Sequence, residues 1–230
     1  MLVGHIAAAM MAKQAEPRLS FGTLVLASLV ADVLLFTLIL TGTETVQFRT
    51  SVEPAASYAP LDVAFSHSLA TTALAGVAAA AFYAWRSRRV WGAAVLALTI
   101  LSHWVLDLFT HPVLPVSPGP VMYLGTRIAR YITVAMVVEA ALWIGILYLY
   151  VRDSRSVNAP GRYVFWGGVV SWTYVWWANL AGPPRKPADA PIEMLIVLGL
   201  IVGWGYWMNR ARRITAREFS HYGSHGEQSG

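Results

Sequence analysis

The sequence predicts an all-α protein, a polytopic membrane helix bundle of six long spans preceded by a short N-terminal membrane-embedded helix. Three observations carry this. Of 230 residues, 57% are hydrophobic and only 13% charged. The mean hydropathy is +0.52 and there are ten Trp. Apolar runs of about 20 residues recur along the chain, separated by short polar or Pro-rich links, as expected for bilayer-crossing helices.

The elements follow in order. Leu2 to Ala12 is a short apolar segment carrying His5, and lacks the basic region that precedes the apolar core of a cleaved signal peptide. A polar turn spans Lys13 to Ser20. Phe21 to Thr41 is a full span with Asp32 at its middle, and Gly42 to Asp62 is a polar connection in which Asp62 is placed to N-cap the next helix. Ala64 to Trp85 is an Ala-rich span whose Gly76 and Ala80 give a small-xxx-small spacing for close helix packing. Val90 to Thr110 is the third span, stopped by Pro112, Pro115, Pro118 and Pro120. Tyr131 to Val151, with Glu139, is the fourth. Tyr163 to Ala181 and Ile192 to Met208 complete the set after a basic link and a Pro-rich loop. Residues 1–213 form a single helical domain, and 214–230 form a polar, disordered tail.

Charge sets the expected orientation. The links on the side of Lys13, Arg86 and Arg210 collect twelve of the seventeen Lys and Arg, and the opposite links collect five. The positive-inside rule places the larger group, and with it the C-terminus, in the cytoplasm. The net charge of +5 therefore reports topology and implies no nucleic-acid partner. With no Cys, neither disulfides nor thiolate ligation of a metal is available.

The chemistry concentrates in Ser102 to His111, where His103, Asp107 and His111 recur at steps of four and share one stripe of an apolar helix. At 1.5 Å per residue, Asp32 lies roughly 18 Å and His103 roughly 20 Å above the cytoplasmic edge. His67, Glu139 and, less closely, His5 reach towards the same layer from other segments. An isolated charge there costs several kcal/mol, so these groups need partners. One answer is mutual: Asp107 hydrogen-bonds His103, Glu139 pairs with Arg127 or Arg130, and His111 satisfies helix-terminal carbonyls. The other is a metal ion. Imidazole and carboxylate without thiolate suit Zn²⁺ best, with Mn²⁺ and Fe²⁺ as alternatives. His103 and Asp107, one turn apart, can grip one ion. His111 lies roughly 12 Å further along a continuous helix and would serve a second ion or a substrate unless the helix breaks.

A resemblance appears at these residues. His5, Asp32, Ser66-His67-Ser68 and His103-Trp104-Val105-Leu106-Asp107 with His111, followed by Gly182 to Pro184 after a Trp-rich span, resemble the bacterial inner-membrane metal-dependent hydrolases grouped with zinc phospholipase C/D-like enzymes. The likeness covers most of Met1 to Arg213. Many members have Pro before the first-span Asp, where this chain has Ala31. The resemblance implies metal binding by His5, Asp32, His67, His103 and Asp107, and a lipid or phosphoester substrate.

The combined expectation is a membrane-embedded hydrolase using a metal-activated water near the outer leaflet, its site open to the outer side of the bacterial inner membrane. Asp107 and Glu139 are the expected catalytic carboxylates, with Glu139 as general base. The alternative is a non-catalytic membrane protein that uses the same cluster as a metal-ion or proton pathway. A third is a structural membrane protein in which the cluster only fixes helix register.

Overall fold

The fold is arranged around its first helix. In the computed structural model, which describes residues 1–45, 64–111, 113–119, 122–126, 131–181 and 190–215, α1 runs from Leu2 to Ala15. Val3, Ile6, Ala7, Ala9 and Met10 are all fully buried. A helix apolar on every face belongs inside a bundle, and α1 packs against α2 (Phe21–Leu40), α4 (Val90–Asp107), α5 (Ile132–Arg152) and α6 (Ala159–Ala181). The expected short embedded segment is thus longer by a turn and forms the core.

The turn between α1 and α2 is held by a buried lysine. Lys13 Nζ donates to Pro17 O and Leu19 O, each at 2.7 Å, and to Asn209 Oδ1 at 2.9 Å. Three donors meet three acceptors, so the ammonium is buried with its hydrogen bonds complete. Asn209, on α7 (Ala190–Ala211), also accepts from Phe21 N at 3.1 Å. α2 and α7 lie close together, and a Cβ on Gly205 would come within 3.0 Å of Gly22 Cα.

α3 (Leu69–Ser87) and α4 form a second close pair. Gly76 faces Ala97, where a Cβ would meet the Ala97 carbonyl oxygen at 3.3 Å, in keeping with its small-residue spacing. α3 closes on Arg88 in the left-handed conformation, φ 59°, whose N–H bonds Ala84 O at 2.8 Å, so α4 starts two residues later.

Among the described residues there are seven α-helices and two small antiparallel pairs of strands. Leu114–Pro115 (β1) pairs with Tyr123–Leu124 (β2) above α4, where Pro115 O accepts from Trp104 Nε1 at 3.1 Å and Val116 O accepts from Ala70 N at 3.0 Å. At the other end, Ser154–Ser156 (β3) pairs with Arg212–Ile214 (β4). Arg212 is buried there, with its guanidinium carbon 4.1 Å from the Phe165 ring centroid and its Nε 2.6 Å from Ser154 Oγ.

The all-α class holds, and the span count changes. Among the described residues four helices, α2, α4, α5 and α7, are long and apolar enough to cross a membrane, which marks the chain as a membrane protein. Six were expected. α3 and α6 have the length, at 19 and 23 residues. Their composition falls short, because α3 is built mainly of weakly apolar Ala and α6 carries Gly, Tyr and Trp with polar edges. The connection 46–63, the loop 182–189 and the tail from 216 lie outside the described residues, and so do Asp62, His221 and His225. α3 is N-capped by Ser68, whose Oγ accepts from Thr71 N at 3.1 Å.

Candidate metal centre

Four segments deliver five ionisable side chains to one buried volume. His5 comes from the first turn of α1, Asp32 from α2, and His67 from the turn before α3. His103 and Asp107 come from the last turns of α4. His5, His103 and Asp107 are each 1% exposed and His67 4%. Two groups have donor atoms within 4.8 Å of one another: His5, His103 and Asp107, and Asp32, His67 and His103.

The distances are informative. His67 Nε2 lies 3.4 Å from His103 Nε2, 3.6 Å from Asp32 Oδ1 and 3.7 Å from Asp107 Oδ2. His103 Nε2 lies 3.3 Å from Asp107 Oδ2 and 3.9 Å from Asp32 Oδ1. Most of these are longer than a good N–H···O hydrogen bond. They approach the ~3.3–3.4 Å separation of neighbouring donors around a tetrahedral N/O site, with Asp32 and Asp107 falling in different donor groups.

The outward nitrogens of both imidazoles are occupied. His103 Nδ1 is 2.8 Å from Ser28 O, and since a carbonyl only accepts, Nδ1 carries the proton and Nε2 of the neutral ring keeps its lone pair. His67 Nδ1 is 3.0 Å from Ser66 Oγ, which can hold the same tautomer. His5 differs, because its Nδ1 has no hydrogen-bond partner and its Nε2 faces only Asp107 Oδ1, at 3.3 Å. A buried imidazole half-satisfied beside a carboxylate fits a metal ligand better than a satisfied core.

His111 lies at the edge of the cluster, its N–H bonded to Asp107 O at 2.8 Å. α4 ends at Asp107, and tight turns bring Phe109 N to Leu106 O at 3.1 Å and Thr110 N to Asp107 O at 3.0 Å. Pro112 lacks the N–H that would bond Leu108 O; that oxygen accepts instead from Thr126 Oγ1 at 2.7 Å. The His111 ring folds back, with Nδ1 3.7 Å from Asp107 Oδ2 and its centroid 6.3 Å from that of His67. It borders the donor groups without belonging to either.

Glu139, on α5, is 2% exposed and accepts from Gly4 N at 3.2 Å. It satisfies an N–H of the first turn of α1, where a helix otherwise leaves its donors free. Arg127 and Arg130 lie outside the described residues. The Met1 nitrogen is also buried, 2.8 Å from Asp107 Oδ1.

One residue of the site carries no sequence signal. Glu44 is 4% exposed, and its Oε1 accepts from Phe65 N and Ser66 N, both at 2.8 Å. It clamps the turn that presents Ser66 and His67. A single acid in a polar connection gives no pattern that would have found it.

The fold and the site together define an all-α membrane protein with a buried His/carboxylate donor cluster between α1, α2 and α4. Comparison with protein-family models, with curated proteins and with solved structures finds no match to this chain.

Proposed function

We propose that the protein is a membrane-embedded, metal-dependent hydrolase acting on a lipid or phosphoester near the outer leaflet. The observation that carries this reading is the spacing of Asp32, His67, His103 and Asp107, five of whose donor-to-donor distances fall between 3.3 and 3.9 Å. The donor set of nitrogen and oxygen without sulfur favours Zn²⁺, with Mn²⁺ and Fe²⁺ next. When bound, such an ion supplies the Lewis acidity that makes hydroxide available at neutral pH. The chain's residues do the rest. Ser28 O and Ser66 Oγ aim the two imidazoles, and Asp107 anchors the cage from α4. Glu139, outside the cage and held by Gly4 N–H, is the general base that takes the proton of the attacking water.

In this reading α3 and α6 also lie in the bilayer, giving six membrane segments around α1. The basic links face the cytoplasm of a bacterial inner membrane, and the site opens outward. A transport pathway would need polar groups continuing towards the cytoplasmic side. Beneath His5, α1 instead presents Ile6, Ala9 and Met10, all fully buried. That favours a closed pocket over a conduit.

The test is metal analysis of protein purified without chelators, combined with hydrolysis of phospholipid and simple phosphoester substrates. Bound Zn²⁺ with metal-dependent product release supports the reading. Protein that folds fully and takes up no metal overturns it, and metal flux into proteoliposomes without product release would replace it with transport.

A further inference from the structure

Asp107 meets the two stacked imidazoles of the site through different oxygens. The rings of His5 and His103 lie 4.0 Å apart and 11° from parallel. His103 Nε2 is 3.3 Å from Asp107 Oδ2, and His5 Nε2 is 3.3 Å from Asp107 Oδ1. Each ring thus pairs with its own carboxylate oxygen. His67 Nε2 lies on the Oδ2 side. The Met1 nitrogen lies on the Oδ1 side at 2.8 Å, so that oxygen already takes a positively charged partner.

We propose that the centre holds two metal ions bridged by the Asp107 carboxylate, the second on the pole formed by His5 and Asp107 Oδ1. The inference rests on the metal-centre reading above and adds an ion to it. Three arguments support it. His103 has one free nitrogen, because Nδ1 is committed to Ser28 O, so it cannot serve both donor groups; a shared carboxylate can. The 4.0 Å offset between the rings matches the ~3.5–4 Å separation of two-metal hydrolytic sites, where each ligand serves its own ion. His5 is fully buried, its Nδ1 has no hydrogen-bond partner and its Nε2 faces only Asp107 Oδ1, so the Asp32/His67/His103 group alone gives this ring no role. Glu139, bonded to the N–H of Gly4 next to His5, places a further carboxylate beside this pole.

Metal content per chain decides the matter. The full-length protein, tag removed and purified without chelators, is loaded with Zn²⁺, exchanged free of excess metal and assayed by elemental analysis. In parallel it is loaded with Mn²⁺ for electron paramagnetic resonance. The proposal expects two ions per chain and an exchange-coupled Mn²⁺ pair. His5→Phe keeps the ring stack on His103 and should hold one ion per chain with an isolated-ion spectrum. One ion in the wild-type protein with no coupling overturns the second site and leaves the mononuclear reading standing. No ion at all overturns both. Two coupled ions retained in a folded His5→Phe variant would remove His5 from the second site. Should that variant fail to fold, the wild-type stoichiometry and spectrum decide alone.

Discussion

His103 Nδ1 lies 2.8 Å from the carbonyl oxygen of Ser28, an α4 imidazole bonded across to the α2 backbone. The contact orients the ring, sets its tautomer and leaves Nε2 facing His67 and both aspartates. Outer hydrogen bonds of this kind fix metal-ligating histidines in most metal sites. The site is therefore built into the α2–α4 packing, with the Ser28 contact one helical turn from Asp32.

Removing a cage ligand should cost more than removing its neighbour. His103→Ala and Asp107→Asn are expected to weaken Zn²⁺ binding beyond the ~100-fold that outer-shell changes reach. His111→Ala should stay within about tenfold of wild type, because His111 belongs to neither donor group. Competition with a chromophoric chelator measures all three. Equal losses in His103→Ala and His111→Ala would redraw the cage around His111.

Glu44 should act on metal affinity through geometry. Glu44→Ala removes the acceptor for Phe65 N and Ser66 N, frees the turn and should cost ~10–100-fold in affinity, as should Ser66→Ala, which strips His67 Nδ1 of its partner. Glu44→Gln keeps a carbonyl oxygen able to accept both N–H groups and should bind metal nearly as well as wild type. If Gln is as damaging as Ala, the negative charge matters in place of the clamp.

The metal should also stabilise the fold, since its ligands come from α1, α2, α4 and the turn before α3. An ion binding only the folded state adds about 2.7 kcal/mol at a hundred times its Kd. Chelation should lower the Tm in detergent and readdition of Zn²⁺ should restore it. An unchanged Tm in protein shown to bind metal would mean that the ion binds the unfolded chain equally well and does not need the assembled cage.

Much of this arrangement was legible in the sequence, and the gaps have physical reasons. His103 and Asp107 stood out because a helix brings residues four apart together and because charges deep in an apolar run need partners. The placement of Asp32, His67 and His5 followed from counting along spans, since 1.5 Å per residue is a good ruler for straight helices. The same ruler set His111 apart from His103, and it joins neither donor group, bordering the cluster on its Asp107 side. α1 was expected as a short embedded helix; its lack of a polar face makes it the core. Glu44 and Ser28 act through main-chain atoms, which no side-chain pattern reveals.

A close helix contact offers a test of the scaffold apart from its chemistry. Gly22 and Gly205 let α2 and α7 approach until a Cβ on Gly205 would lie 3.0 Å from Gly22 Cα and 3.2 Å from a Val25 methyl. Backbone cannot move aside as a flexible side chain can, so Gly205→Ala should destabilise the protein by about 1–3 kcal/mol. Metal affinity should change little, because Asp32 sits ten residues further along α2. A neutral Gly205→Ala would show that the two helices are less closely packed than the structure indicates.

Orientation can be read with a single added thiol, because the chain has no Cys. Thr43, exposed just after α2, lies at the end of the bundle that the basic-residue count assigns to the outside. Arg155, exposed in β3, lies at the opposite end, beside Arg213. In intact cells stripped of their outer membrane, a membrane-impermeant maleimide should label Thr43→Cys and leave Arg155→Cys unlabelled until lysis. Both positions lie outside the donor cage, so metal content serves as the folding control. The reverse pattern would turn the site mouth, α1 and the proposed substrate leaflet to the cytoplasmic side, with the metal chemistry unchanged.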